Sequence, residues 1–216
     1  GAATTAANIF LKYEYNARGV VIMKPGMGRN RKIDLIILPR HDTVFDFRSR
    51  QRRLPKSMLV TEGAPNRIRT TSDERRTTTS GIGLLIGGDA KGFRLKKEDV
   101  EKIADEIIEL SEEKNLDIFV STSRRTSPEI DRLLKEKFRG NKHCKLLIIA
   151  NEKNVEGAVA GIFGSSDIII TSPESMSMIS EAASSGKYVV VFRERFGKSK
   201  YDCMVSNLEQ QGYIYT

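Results

Sequence analysis

The stretch that decides the fold is Ile82-Gly83-Leu84-Leu85-Ile86-Gly87-Gly88-Asp89-Ala90-Lys91-Gly92. Its first five residues are a short apolar run, typical of a strand that is buried on both faces, and the run ends at paired glycines. An amphipathic helix is predicted next, over residues 96–114. Its apolar side chains recur at helical spacing: Val100, Ile103, Ile107 and Leu110. A buried strand, a glycine-rich turn and a helix are the beginning of a βαβ unit.

The same alternation continues toward the end of the chain. Further strands are predicted over residues 116–121, 145–150, 167–171 and 188–192, and further helices over 128–138, 155–163, 175–185 and 202–211. Strands that alternate with helices predict a parallel, doubly wound, Rossmann-like α/β sheet with helices on both faces.

The region before this pattern is less regular. A helix is predicted over residues 8–16 and strands over 20–23, 33–38 and 57–61, and the polar, turn-rich residues 69–81 predict a linker or an exposed loop. We therefore expect a partial Rossmann-like domain over residues 1–75 and a Rossmann-like domain over residues 76–216. The first residue is not Met, which indicates either a cleavage scar or a chain that starts inside its first domain.

Composition excludes several classes of protein. The 216 residues contain no apolar run near the roughly 18 residues that a membrane-spanning helix needs, which excludes an integral membrane protein. Two cysteines provide neither a disulfide framework nor a metal site, so we expect a reducing compartment. The net charge of +8 is uneven, because residues 1–80 carry +9 and residues 81–216 carry −1. Four arginines lie at positions 48, 50, 52 and 53.

Candidate ligand-binding residues lie in three strand-to-helix loops of the second region, because open α/β sheets bind ligands beyond the carboxyl ends of their strands. The first loop is the glycine-rich segment 87–92, whose backbone N–H groups can approach a phosphate closely. It matches neither the dinucleotide fingerprint nor the P-loop pattern. A plain turn is the alternative interpretation.

The second loop is Ser121-Thr122-Ser123-Arg124-Arg125-Thr126-Ser127-Pro128, where hydroxyls and two arginines gather at a predicted helix start. A helix N-terminus favours anions, and an arginine can bind two phosphate oxygens at once. The alternative is a helix cap with solvated arginines.

The third loop, Thr171-Ser172-Pro173-Glu174-Ser175, leads into a predicted helix that carries Glu181. Pro173 suits a first helical turn, and the amides that follow it can hold a diphosphate. Glu181 lies six residues after Ser175, nearly two helical turns along, where its carboxylate can accept both hydroxyls of a ribose. The alternative is an ordinary amphipathic helix with apolar residues in the core: Met176, Ile179 and Ala183.

Together these segments resemble the ELM-type mitochondrial fission family, whose bacterial members are classed with the glycosyltransferases. The similar segments of the second region are Gly87-Gly88-Asp89, Thr122-Ser123-Arg124-Arg125-Thr126 and Ser172-Pro173-Glu174-Ser175-Met176-Ser177-Met178-Ile179-Ser180-Glu181-Ala182. Those of the first region are Val21-Ile22-Met23-Lys24-Pro25-Gly26, Asp34-Leu35-Ile36-Ile37-Leu38-Pro39-Arg40-His41-Asp42 and Thr61-Glu62-Gly63-Ala64-Pro65-Asn66-Arg67-Ile68. The resemblance implies a GT-B-like architecture of two Rossmann-like domains, with the upstream half of the first domain absent from this chain.

The resemblance also implies a nucleotide-sugar site. The Glu181 helix is similar to that of the lipid-linked N-acetylglucosaminyltransferase of peptidoglycan synthesis, where the matching Glu holds the ribose. Carried over, the amides of Ser175 and Met176 bind the diphosphate, and Arg124 neutralises it. The further contacts expected on this basis are Gly87, Gly88, Ser123, Arg125, Thr126 and Ser177. Glu174 departs from the small or basic residue expected there, so its side chain must turn away or diphosphate binding is weakened.

A catalytic base is expected from the first region. His41 is the candidate, with Asp42 beside it to orient the imidazole, and the alternative is a histidine in the turn after Pro39. His143 is expected to be structural or exposed. No Asp-x-Asp occurs, so we expect no metal, and no cofactor besides the nucleotide-sugar substrate. A helix N-terminus and an arginine can stabilise a leaving diphosphate without a metal.

These features predict a metal-independent GT-B glycosyltransferase that transfers a sugar to a cell-envelope glycan or lipid. The alternatives are a non-enzymatic recruitment factor for membrane division, a nucleotide-sugar epimerase and a nucleic-acid binder. The last is disfavoured, because aromatic residues make up only 7% of the chain and Trp is absent. The expected partners are a nucleotide-sugar and an anionic lipid or phosphorylated glycan. We expect a cytoplasmic protein, with peripheral association at the inner face of the membrane as a further expectation.

Overall fold

A computed structural model describes residues 4–25, 30–44, 57–68, 80–90, 92–153, 155–192 and 200–216. Within these residues the chain forms two separate parallel sheets. The first has the order β1-β2-β3, from strands β1 (Val20–Ile22), β2 (Leu35–Pro39) and β3 (Met58–Thr61). Helix α1 (Thr5–Glu14) precedes β1, a single 3-10 turn (Asn30–Lys32) precedes β2, and the short helix α2 (Arg40–Val44) follows β2 directly.

The second sheet has five parallel strands in the order β6-β5-β4-β7-β8. They are β4 (Gly81–Ile86), β5 (Asp117–Thr122), β6 (Cys144–Ile148), β7 (Ile168–Thr171) and β8 (Tyr188–Val191). β4 is buried along its whole length, because it lies at the centre of the sheet. The predicted class is confirmed: an α/β, Rossmann-like fold with parallel sheets.

Helices cover both faces of the second sheet. α3 (Lys97–Lys114) and α4 (Pro128–Phe138) bury apolar residues against one face. α5 (Ala158–Ser165), α6 (Met176–Ser184) and α7 (Lys200–Gln210) contribute to the core on the other face. Val100, Ala104 and Ile107 of α3 are buried, whereas Leu110 is 36% exposed.

Local signals explain where the best-predicted helix begins. Ser127 caps α4 by accepting a hydrogen bond from the backbone N–H of Ile130 at 3.3 Å, and Pro128 occupies the first helical position. α4 therefore has the predicted bounds, 128–138.

Two sequence predictions fall outside the described residues. The expected domain boundary at 75/76 lies in one undescribed segment, and the arginine cluster at 48–53 lies in another. The boundary therefore remains a prediction. Among the helices that the structure describes, none combines the length and apolar character needed to cross a membrane.

Candidate functional site

The candidate site lies at the carboxyl edge of the second sheet, where β4 is flanked by β5 on one side and β7 on the other. The chain leaves β4 toward β5 and later returns to the opposite side with β7. Such a reversal of strand order opens a crevice, and ligands of open α/β folds bind there. Hydrogen bonds join the loops after β4, β5 and β7 at this edge of the sheet.

The loops after β4 and β7 are joined by Glu174. Its Oε1 accepts the backbone N–H of Gly88 at 2.7 Å and the hydroxyl of Ser172 at 3.1 Å. The Ser172 hydroxyl oxygen in turn accepts the backbone N–H of Gly87 at 2.8 Å. The two amides predicted to face a phosphate therefore donate to side chains of the same protein. We call this group of donors, the backbone amides of Gly87 and Gly88 and the hydroxyl of Ser172, the amide cradle.

The two glycines are required by these contacts. A Cβ atom on Gly87 would lie 1.6 Å from Oε1 of Glu174, and one on Gly88 would lie 2.0 Å from the backbone oxygen of Arg125. Gly87 thus makes room for a carboxylate, whereas Gly88 lets the backbone of the β5 loop approach.

Glu174 is 2% exposed, and within the described part of the chain its buried Oε2 has no hydrogen-bond partner. Burial raises the pKa of Glu174, and hydrogen bonds from backbone amides and Ser172, with the nearby charge of Arg125, offset this only in part. The Glu174 side chain turns toward the Gly88 amide and the Ser172 hydroxyl, and both outcomes expected for its effect on diphosphate binding remain predictions.

The β5 loop reaches the same point through Thr126. Its hydroxyl donates to the backbone oxygen of Gly87 and accepts the backbone N–H of Ser123 at 2.9 Å. Arg125 donates from Nη1 to the backbone oxygen of Asp89 at 3.3 Å. Thr126 and Arg125 therefore hold the β4 and β5 loops together.

Arg124 and Arg125 are both exposed. Arg124 lines an open cavity of about 710 Å³ that is formed by the loops after β5 and β6 and by α4. Two further cationic side chains, Arg132 and Lys135, line the same cavity, as do the carboxylates of Asp131 and Glu152, and Lys135 forms an ion pair with Glu152.

Two residues that the sequence did not single out fix this cavity wall. Asn151, after β6, donates from Nδ2 to Oδ2 of Asp131 at 2.7 Å and to the backbone oxygen of Thr126 at 3.0 Å. Asp131 is 5% exposed, in the first turn of α4. These bonds join the loops after β5 and β6. No sequence pattern marks the pair, because the partners are 20 residues apart and in different elements.

Helix α6 and its N-cap carry the remaining residues that the sequence predicts to contact a ligand. Its first-turn amides have no intrahelical acceptors, and the Ser175 side chain caps none of the described amides. Glu181 is half-buried, and burial raises its pKa. Ser177, one helical turn before Glu181, is exposed. α6 therefore carries amide donors at its N-terminus and, in its second turn, a carboxylate that is not fully buried.

The first region contacts α6 beside Glu181. The backbone N–H of Ala64 donates to Oγ of Ser180 at 2.8 Å. Nδ2 of Asn66 donates to the backbone oxygen of Ser180 at 3.1 Å and to Oγ of Ser184 at 3.0 Å. The loop after β3 therefore docks on the helix that carries the predicted ribose-binding residue.

A second contact between the regions involves Glu62. Arg40 donates to its carboxylate from two nitrogens, at 2.7 and 2.6 Å, and Asn207 of α7 donates at 2.7 Å. The hydrogen bonds from Arg40, and then from Asn207, lower the pKa of Glu62 to about 2.

The predicted catalytic pair lies in α2, which packs against α7. His41 is 2% exposed, and Asp42 is half-buried. His41 thus lies in a helix rather than in a turn, and its role as a base remains a prediction. His143, which was expected to be either structural or exposed, is buried, as a structural residue would be.

Comparisons with known proteins agree with this architecture. A protein of Rickettsia prowazekii (strain Madrid E), described as "Uncharacterized protein RP120", is 26% identical over 246 residues, which cover 98% of this chain and 68% of the relative. The family model described as "Mitochondrial fission ELM1" matches residues 1–216.

Two solved structures are similar in fold. The S. aureus MnaA-UDP co-structure superposes with a TM-score of 0.52 at 13% identity, over 97% of this chain and 58% of that one. UDP-GlcNAc 2-epimerase from Neisseria meningitidis bound to UDP-GlcNAc superposes with a TM-score of 0.45 at 17% identity, over 63% of this chain and 32% of that one. The chain thus spans less than two thirds of either solved protein. At this identity, the likeness to MnaA establishes the GT-B-like fold alone.

Proposed function

This chain belongs to the Mitochondrial fission ELM1 family, and from that premise we propose that it binds a nucleoside-diphosphate sugar and transfers the sugar to an envelope glycan or lipid. The observation that supports the proposal most strongly is that hydrogen bonds bring the loops after β4, β5 and β7 together at one edge of the sheet. UDP is the natural first probe, because the MnaA structure of similar fold is a complex with UDP.

Each group at the crevice has a role in this proposal. The first-turn amides of α6, Met176 among them, bind the diphosphate at the positive end of the helix dipole. Arg124 neutralises the diphosphate from the β5 loop. Glu181 accepts the hydroxyls of the ribose, and its partial burial makes those hydrogen bonds stronger than in open water.

The transfer step breaks the bond between the anomeric carbon of the sugar and an oxygen of the diphosphate. An acceptor hydroxyl forms the new bond, and its proton passes to a base, for which His41 is the candidate. Negative charge develops on the leaving diphosphate, where the amides of α6 and the guanidinium of Arg124 stabilise it. The net charge of +9 in residues 1–80 favours an anionic acceptor, such as a phosphorylated glycan or an anionic lipid.

Calorimetry of the full chain with UDP-, GDP-, ADP- and CMP-sugars tests the binding step. We expect one of them to bind, and Glu181→Gln and Arg124→Ala each to weaken its binding about ten-fold or more. Glu109→Gln on α3 and Arg139→Ala after α4 are matched controls, because both residues are exposed and belong to none of the three crevice loops. Absence of binding, or equal binding by all variants, would contradict the proposal.

A second candidate is a non-enzymatic recruitment factor of the same fold. The position of Glu174 favours it, because a carboxylate already holds donors that a diphosphate would use. Sugar released or transferred in the presence of an acceptor excludes this candidate. A changed sugar configuration in the absence of an acceptor would instead indicate an epimerase.

A further inference from the structure

Glu174 is the buried group that the proposed chemistry does not use. Its Oε1 is held by the Gly88 amide and the Ser172 hydroxyl, while Oε2 is buried without a hydrogen-bond partner among the described residues. Burial removes most of the water around this carboxylate, and the two hydrogen bonds to Oε1 replace that hydration only in part. The ionised carboxylate is therefore less stable here than in water. Such an arrangement is open to exchange with a better-matched anion.

The glycines indicate what kind of anion fits. The carboxylate oxygen occupies the space over Gly87 that any side chain would fill, since a Cβ there would lie only 1.6 Å from Oε1. Backbone amides exposed by adjacent glycines are the donors that commonly bind phosphate oxygens. The carboxylate therefore holds the position where a phosphate oxygen would accept the same hydrogen bonds.

We propose that the Glu174 carboxylate competes with a phosphate group of the ligand for the donors of the amide cradle. The carboxylate accepts their hydrogen bonds in the free protein, and a phosphate binds there only by displacing it. This inference rests on the proposed function for the identity of the anion. It makes Glu174 a residue that sets affinity, because ligand binding must break two hydrogen bonds of the carboxylate before the phosphate forms its own.

The test is calorimetric titration of the full chain with inorganic pyrophosphate. Glu174→Ser removes the carboxylate and is expected to bind pyrophosphate at least ten-fold more tightly than the wild type. Glu174→Gln keeps the shape but loses the charge, and its affinity is expected to lie between the two. Glu129→Ser is the matched control, because it makes the same charge change at an exposed position in the first turn of α4. It is expected to change the affinity less than two-fold.

An unchanged or lower affinity of Glu174→Ser overturns the inference, as does absence of pyrophosphate binding to every variant. An equal gain in Glu129→Ser also overturns it, because the effect would then be general electrostatics. If Glu174→Ser binds pyrophosphate more tightly but no variant binds a nucleotide-sugar, the proposed function is contradicted, whereas the competition between Glu174 and phosphate is still supported.

A measurement on the wild-type chain covers the case in which Glu174→Ser does not fold. Saturation with pyrophosphate is expected to shift the carbon resonance of the Glu174 carboxyl and the amide resonance of Gly88 in NMR spectra. Pyrophosphate binding that leaves both resonances unmoved would overturn the inference.

Discussion

The backbone N–H of Gly88 donates to the Glu174 carboxylate over 2.7 Å, across 86 residues of sequence. This hydrogen bond links the turn after the central strand β4 to the turn that precedes α6. It places a buried carboxylate at the point of the fold where an anionic ligand is expected. Because the bond couples two distant loops, a change in one of them is expected to affect the other.

Substitution by alanine should destabilise the protein for different reasons at Gly87 and at Gly88. Gly87→Ala is expected to destabilise the protein by about 1–3 kcal/mol, because its Cβ would displace the buried carboxylate from its donors. Adding Glu174→Ser should remove most of that cost. Gly88→Ala should be at least as damaging and should not be rescued, because its Cβ would meet the backbone oxygen of Arg125. Urea denaturation of the single and double variants measures the coupling.

Gly161 provides the control for these glycine substitutions. It lies within α5, where an added Cβ would meet no described atom within 4 Å. Gly161→Ala should therefore stabilise the protein by about 0.5–1 kcal/mol through helix propensity. Equal coupling of Gly87→Ala and Gly88→Ala to Glu174→Ser would contradict the roles assigned to the two glycines.

The Glu62 contact should make stability depend on pH. The folded-state pKa of Glu62 is lowered to about 2, so its contribution is present above the ordinary carboxyl pKa and is lost as the pH falls toward about 2. Glu62→Gln should cost about 1 kcal/mol at pH 7, a value discounted for partial exposure. The cost should shrink steadily as the pH falls from about 5 to about 3 in urea denaturation series. A cost that stays constant across this range would contradict the assignment, and Glu156→Gln at an exposed position serves as the control.

Asn66 should hold the first region against α6. Asn66→Ala removes hydrogen bonds to the backbone of Ser180 and to the hydroxyl of Ser184, at an expected cost of about 1–2 kcal/mol. Amide hydrogen exchange is expected to rise in residues 64–68 and in α6. Asn141→Ala, which removes a local bond to the backbone of His143, should leave exchange in α6 unchanged. Unchanged exchange in α6 of Asn66→Ala would show that this contact is dispensable.

The basic first region should bind anionic surfaces in a salt-dependent way. Sedimentation with phosphatidylglycerol vesicles is expected to fall steeply as salt rises from about 0.05 to 0.5 M, because exposed charges are then screened. Replacing the four arginines at positions 48, 50, 52 and 53 with alanine should reduce binding strongly. Replacement by alanine of four basic residues elsewhere in the chain removes the same charge but should reduce vesicle binding less. These residues are Lys102, Lys114, Arg139 and Lys153. Salt-insensitive binding would contradict the expected electrostatic surface.

Local patterns were sufficient to predict the second sheet and most of its helices. Buried apolar runs indicated each strand from β4 to β8, and the Ser127-Pro128 pair located the start of α4. The helix α2 was missed, because its five residues are too few to show a helical period. His41 was therefore expected in a loop position rather than within a packed helix.

The orientation of side chains at the site was less predictable. Ser172, Glu174 and Gly88 all belong to loops that the sequence marked, yet the inward turn of Glu174 depends on a partner 86 residues away. The same holds for Asn66 and Ser180, which meet only because the two regions dock. Sequence spacing indicates which loops share a sheet edge, but the choice of hydrogen-bond partners there is a property of the tertiary structure.

The central claim is that the carboxyl edge of the second sheet binds a nucleoside diphosphate. Amide-resolved NMR of the full chain titrated with UDP tests it most directly. We predict shifts at Gly88, at Ser123–Thr126 and at Met176–Met178, with no shift at Asn115, Asp167 or Lys187, which lie at the opposite edge of the sheet. Shifts confined to that opposite edge, or no shift at saturating concentrations of UDP, GDP, ADP and CMP in turn, would contradict it.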